Sequence, residues 1–289
     1  VPVSPVGRTA LMVAAARAIE GTRPDALACD RFAEAFVRAD DIAAGWPVSW
    51  AEVPDGDADP LWGRLAHYFG LRTRVLDDFL LRAVRDGIRQ IVLLGAGLDT
   101  RAFRLGWPPG CRFFELDRAE ILVHKQWVLD GMAAQPVAER ATIAVDLRDE
   151  WAKPLQKNGF DPALRTAWLV EGLLLYLPGD AERRLFDAVH QLSAPGSVLG
   201  YEIKLTPERP VVQHSPIYRH ARERIGLDLL GLFDYEPRPE SAADLMDRGW
   251  AMQVRTPFHF TSQYGAGPRP LPSDALEANR WIFGRRSPG

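Results

Sequence analysis

The stretch "IVLLGAGLDTRAFRL", residues 91–105, decides the fold of this chain. Four branched apolar residues, Ile91 to Leu94, have the character of a short buried strand. Gly95, Ala96 and Gly97 follow as G-x-G, and a helix is expected to start near Thr100. Glycines at such a turn let the backbone bend sharply and approach a ligand closely. The third glycine of a G-x-G-x-x-G fingerprint is absent: its place is held by Thr100, after Leu98 and Asp99. A G-x-G alone serves a plain strand–helix corner as readily as a ligand loop.

Downstream, the apolar runs "RFFELD" (112–117), "ATIAVDL" (141–147), "TAWLVEGL" (166–173) and "GSVLGYEI" (196–203) alternate with helical stretches, clearest at 119–132 and 180–193. This alternation of buried-looking strands with helices predicts a parallel sheet covered on both faces. Residues 207–247 read as helical or looped, with 205–250 as a lid insertion. Two late strands, 251–260 and 280–286, are expected to form a hairpin-like antiparallel edge. Upstream, Leu11, Ala14, Ala15 and Ala18, then Phe32, Ala35 and Phe36, recur at helical spacing within 8–44, and the first of these helices reads as amphipathic. The Pro-, Gly- and Asp-rich stretch 45–60 is expected to be a loop. Leu71, Val75, Phe79 and Ala83 mark a further helix that Gly87 ends.

A net charge of −3 with 25% charged and 47% hydrophobic residues gives no electrostatic footprint for nucleic acid. Cys29 and Cys111 lie far apart and form no C-x-x-C pair, so idle thiols are expected. No apolar run approaches the ~20 residues that span a bilayer. The N-terminal apolar patch is interrupted by Arg17 and Glu20 and lacks a cleavage pattern, which reads as a cytoplasmic protein. Abundant Ala, with Arg well above Lys, points to a GC-rich bacterial source.

Asp117 ends the strand after the glycine loop, about 20 residues on, where an acidic side chain accepts both ribose hydroxyls of a nucleoside. NAD and S-adenosyl-L-methionine both fit so far. A pyrophosphate wants free amides at a helix N-terminus and the third glycine, whereas Thr100 occupies that place and Asp99 repels phosphate. The sulfonium and amino groups of S-adenosyl-L-methionine welcome a carboxylate, so the methyl donor is favoured. Asp146 and Leu147, at the next strand end, suit an adenine amino group and ring; Asp146 serves equally as a helix N-cap. Glu171 interrupts an apolar strand and is costly to bury without a partner, either a ligand cation or a neighbouring arginine.

Together, "GAGLDTRAFRL", "FELDRAEILVHK", "VDLRDEW", "GFDPALRTAWLVEGLLLYLP" and "LSAPGSVL" resemble the leucine carboxyl methyltransferase family, and most closely its bacterial branch, which includes polyketide O-methyltransferases. "LRTRVLDDFL" and the N-terminal 9–36 resemble that branch too, so the likeness spans residues 8 to about 203. It implies an α/β fold of the class I methyltransferase Rossmann-like kind: a mostly parallel seven-stranded sheet with an antiparallel last strand, an N-terminal helical extension or cap (1–87) and a core (88–289) carrying the helical lid. The implied cofactor-binding residues are Gly95, Ala96 and Gly97 at the methionine part, Asp117 at the ribose, Asp146 and Leu147 at adenine, and Glu171 near the amino-acid end. The resemblance also implies Arg72, with Arg74 as the alternative, as partner of the cofactor carboxylate, and Arg17 as a basic residue closing over the site. Arg118-Ala119 and Cys29-Asp30 depart from the family's usual pairs and remove no cofactor contact.

The expected activity is S-adenosyl-L-methionine-dependent O-methylation of a small-molecule carboxylate or hydroxyl, as in polyketide or other secondary metabolism. A carboxylate acceptor is already ionised near neutral pH and needs aiming rather than a base; Arg148 and Tyr176, at strand ends, are the candidates. An alcohol or phenol acceptor gains from a base, for which His214 or His220 in the lid are candidates. No metal-ligand cluster is evident. The rival readings are a protein C-terminal carboxyl methyltransferase and a non-catalytic cofactor-binding interaction protein, with an NAD oxidoreductase as the outsider.

Overall fold

The computed structural model describes residues 5–205, 210–271 and 274–288, so the part of the expected lid at 206–209 lies outside the described residues. Strands β1 (Gln90–Leu94), β2 (Arg112–Asp117), β3 (Glu139–Ala144), β4 (Thr166–Val170), β5 (Val198–Lys204), β6 (Trp250–Arg255) and β7 (Asn279–Arg286) form one sheet in the order β3-β2-β1-β4-β5-β7-β6. β1 to β5 run parallel, and β7 inserts antiparallel between β5 and β6. This is the class I methyltransferase sheet. The chain order reverses between β1 and β4, and such a reversal opens a crevice beyond the carboxyl ends of those strands.

The helices are α1 (Pro5–Gly21), α2 (Ala33–Arg38), α3 (Trp62–Arg85), α4 (Arg101–Arg104), α5 (Ala119–Gly131), α6 (Ala152–Lys157), α7 (Gly179–Gln191), α8 (Pro210–Gln213), α9 (Pro216–Ile225), α10 (Ser241–Asp247) and α11 (Pro257–Tyr264). Side chains alternate across each strand with a period of two. Ile91, Leu93, Phe113, Ala167 and Leu169 therefore enter the core shared with α1 to α5. Val92, Leu94, Phe114, Trp168 and Val170 enter the opposite core, shared with α6, α7 and α10. No helix among the described residues is long and apolar enough to cross a membrane.

Several elements differ from the sequence reading, each for a local reason. The strand expected over 166–173 stops at Val170, because Gly172 turns at φ +64° and Leu174–Tyr176 coil into a short 3-10 turn. The strand expected over 251–260 stops at Arg255: Pro257 opens α11 and the Thr256 side chain caps it by accepting from the His259 amide. α3 starts at Trp62, well before Leu71. Its Gly63 and Gly70 are tolerated because they make room for neighbours, the carboxyl end of Glu20 pressing against Gly70. α1 is not amphipathic. Met12, Ala16, Arg17, Ile19 and Glu20 are buried along with the expected face. Its polar members are partnered: Arg17 Nη2 donates to the Leu98 carbonyl at 2.7 Å and Glu20 accepts from the Leu27 amide at 2.8 Å.

Candidate active site

A cavity of about 340 Å³ opens where the crevice was expected, beyond the ends of β1, β2, β4 and β5 and under α1, α3 and α9. At its floor the chain leaves β1 into Gly95 at φ +76° and Gly97 at φ +46°, values that side-chain-bearing residues seldom adopt. A Cβ at Gly95 would meet Leu173 Cδ1 at 3.1 Å. The Gly95 and Ala96 amides both donate to the Leu116 carbonyl at 3.0 Å, which ties the loop to β2.

Asp117, at the tip of β2, accepts from the Gly97 amide through Oδ2 and from the Arg118 amide through Oδ1, each at 2.7 Å. Burial raises its pKa above the usual carboxylate value, against the pull of those two amides. A carboxylate has about four acceptor positions, so two remain for hydroxyls at the cavity wall. One amide at the start of α4 is already taken: Asp99 Oδ1 accepts from the Arg101 amide at 2.7 Å. The place where a pyrophosphate would collect amides therefore holds a carboxylate of the chain itself.

Glu171 is answered by arginine. Its carboxylate lies 2.9 Å from Arg72 Nη2 and 2.7 Å from Arg101 Nη1. Burial opposes its ionisation, but Arg101 and Arg72 outweigh that and hold its pKa well below the carboxylate norm. Arg101, 1% exposed, also pairs with Asp77 at 2.7 Å and with Asp99. Arg104 pairs with Asp77 at 2.5 Å, and Arg72 Nη1 reaches Glu202 at 2.6 Å. The network thus sets four carboxylates (Asp77, Asp99, Glu171, Glu202) against three guanidiniums.

Gly95, Ala96, Gly97, Asp117, Asp146, Leu147, Glu171, Arg72, Tyr176 and Arg148 all line the cavity, as does Arg17. Asp146 and Arg148 form a two-pronged pair, 2.9 Å from Nε and 2.5 Å from Nη2, which holds the Asp146 pKa down to about 2. They follow β3, three strand spacings from β4, or roughly 14 Å from the end that carries Tyr176. Arg74 lies on another face, paired with Asp78 at 3.0 Å and stacked on Tyr264. Neither His214 nor His220 lines the cavity; His214 bonds the Pro210 carbonyl and His220 faces Glu223.

The far end of the cavity is aromatic. Tyr176 and Tyr218 flank Phe233, with ring centroids 6.2 and 5.8 Å away. Tyr68, Glu202, Lys204 and Asn279 complete that end, and all four were missed in the sequence. Glu202 and Lys204 carried a usable signal: each is a charge in the apolar run of β5. Tyr68, Tyr218 and Phe233 gave none, because helical spacing makes them ordinary core aromatics.

Likeness to known proteins makes this chain an S-adenosyl-L-methionine-dependent methyltransferase. The leucine carboxyl methyltransferase family model matches residues 10–190, and the chain belongs to that family. A Streptomyces coelicolor protein named "Putative S-adenosyl-L-methionine-dependent methyltransferase" is 58% identical over 283 residues, covering 98% of this chain and 93% of its own. A Saccharopolyspora erythraea protein of the same name is 46% identical over 248 residues, 86% of this chain and 84% of its own. Among solved structures, one described as "a putative methyltransferase" from Thermobifida fusca aligns with a TM-score of 0.55 at 20% identity, over 89% of this chain and 94% of that one, a likeness of fold.

Proposed function

We propose that this protein transfers the methyl group of S-adenosyl-L-methionine to an oxygen of a small-molecule acceptor. The observation that carries the reading is the continuity of the cavity: one space joins Asp117 and the Gly95–Gly97 loop to the aromatic end at Tyr176, Tyr218 and Phe233. The bound cofactor supplies a methyl group on positively charged sulfur. Asp117 is the acceptor for the ribose hydroxyls, and Asp146 and Leu147 flank the adenine. Arg72 and Arg17 are the guanidiniums on the wall for the cofactor's carboxylate, and Glu171 is the carboxylate on that wall for its cationic part.

Methyl transfer cancels charge, so alignment and the exclusion of water are the enzyme's main tasks. Leu175, Ile217 and Phe233 supply an apolar wall for the acceptor. Burial raises the Tyr176 pKa, partly offset by a hydrogen bond with Thr9, so the phenol keeps its proton near neutral pH and can donate to an acceptor oxygen. Among the described residues the lining contains no histidine or cysteine. This favours an acceptor that is already ionised, or one whose oxygen needs little help from a base. Arg148, held by Asp146, serves the adenine end rather than the acceptor.

The test is transfer of labelled methyl into a host extract, split into protein and small-molecule fractions, followed by mild base. Label in the small-molecule fraction is expected. Label confined to protein would overturn the small-molecule reading, in favour of carboxyl methylation at protein C-termini.

A further inference from the structure

We propose that the Lys204 ammonium, clasped on the cavity wall by Asn279 and the Ala275 carbonyl, is an anion subsite that receives the carboxylate of an acceptor carboxylic acid. This deepens the methyl-transfer reading above and rests on it.

Lys204 ends β5 and is 6% exposed, yet it lines the cavity. Its Nζ donates to the Ala275 carbonyl at 3.0 Å and to Asn279 Oδ1. An ammonium has three N–H donors, and these two neutral acceptors use two of them. No carboxylate lies within 4 Å of Nζ among the described residues. Arg72, the buried guanidinium beside it on the wall, does have such partners, in Glu171 and Glu202. A buried charge is normally paired. Lys204 is the exception, and it faces the space the acceptor must enter.

The surroundings fix the ammonium in place. Asn279 Nδ2 donates to the Tyr68 hydroxyl at 2.6 Å, and that hydroxyl donates to Glu202. Asn279 therefore presents its oxygen, not its amide nitrogen, to Lys204. With Glu202 committed to Arg72 and Tyr68, the third donor of Lys204 is left for a ligand. Aromatic walls at Tyr218, Tyr176 and Phe233 suit a ring-bearing or long apolar acid.

A carboxylate oxygen held here attacks the methyl carbon. The new C–O bond forms as the C–S bond breaks, with the bonding pair left on sulfur. The products are a neutral ester and S-adenosylhomocysteine, and no proton moves. Because the acceptor's charge disappears, Lys204 binds acid better than ester and assists release. It is a positioning residue and not a source of transition-state stabilisation.

Burial pushes the Lys204 pKa down to about 8, against the opposing pull of Glu202 and Asp274. The groups facing it from packed elements are Glu202 on its own strand, Tyr68 and Arg72 from α3, and Asp274 before β7, the last paired with Arg64. Burial keeps the Tyr68 phenol neutral well above pH 10. Lys204 is thus the group whose charge changes between pH 7 and 9, and acid binding weakens as pH rises through that range.

The experiment is calorimetry on the full chain saturated with S-adenosylhomocysteine, using 1-naphthoate, benzoate and octanoate beside their amides and methyl esters. In the wild-type protein at least one acid is expected to bind tenfold or more tighter than its amide and ester. The preference is expected to shrink between pH 7.5 and 9.5. In Lys204→Gln and Lys204→Met the acid preference and its pH dependence are expected to vanish, with S-adenosylhomocysteine affinity within threefold of wild type. Parity of acids and amides in the wild-type protein, or an acid preference that survives in both variants, overturns the anion subsite and leaves the methyltransferase reading intact. Failure of S-adenosylhomocysteine itself to bind defeats that reading instead.

Discussion

Replacing Arg101 with methionine removes the guanidinium that holds together Asp77, Asp99 and Glu171 at the base of the site. Asp77 would keep Arg104 and Glu171 would keep Arg72, but Asp99 would lose its cation and retain only the residue-101 amide. Removing one partner from a buried ion pair typically costs about 3–5 kcal/mol, a large share of the roughly 5–15 kcal/mol that holds an ordinary domain folded. Urea unfolding of Arg101→Met at pH 7.5 is therefore expected to show a loss of about 3–5 kcal/mol. The loss must also depend on pH. In the wild type the folded-state pKa of Glu171 lies below its ordinary 4.5. Its contribution to stability is present above about pH 4.5 and fades as pH falls through the lower folded value. In the variant the same carboxyl is buried with less compensation, so protonation relieves it and the two proteins converge on acidification. A difference below about 1 kcal/mol at pH 7.5, or one that stays constant as pH falls from 7.5 through 4.5 to about 2, would refute the reasoning.

Asp117→Ala removes the acceptor assigned to the ribose and is expected to weaken S-adenosylhomocysteine binding by about 1–3 kcal/mol. In calorimetry that is roughly a 5- to 150-fold rise in Kd, and an unchanged Kd would mean the ribose lies elsewhere. Gly95→Ala sets a Cβ 3.1 Å from Leu173 Cδ1 at φ +76° and should lose both cofactor affinity and about 1–2 kcal/mol of stability. Gly226→Ala, at φ +65° with no atom within 4 Å of the new Cβ, should lose stability alone; equal loss of affinity in both would deny the glycine loop its role.

The core of the sheet is legible because β1 and β2 are short apolar runs bounded by turn residues, and the structure places them within a residue or so of their sequence bounds. Legibility fails where apolar residues continue past the strand. The expected strand ran on to Leu173, yet the backbone turns at Gly172, and Tyr176, expected at a strand end, lines the cavity from a 3-10 turn. The place of Asp117 on the cavity wall was readable because strand, loop and acid lie within one βαβ unit. The partners of Glu171 were not: Arg72 and Arg101 come from α3 and α4, and only tertiary packing brings them to the end of β4. Lys204 and Asn279 meet through the pairing of β5 with β7, 75 residues apart in sequence. The missing third glycine has a physical counterpart in the structure, since Asp99 takes the Arg101 amide at the point where a pyrophosphate would need free amides.

Calorimetric titration of the wild-type chain with S-adenosylhomocysteine and, separately, with NAD tests the central claim most directly. Saturable one-to-one binding of the first and no detectable heat from the second is the predicted result. Binding of NAD without binding of S-adenosylhomocysteine would contradict the account.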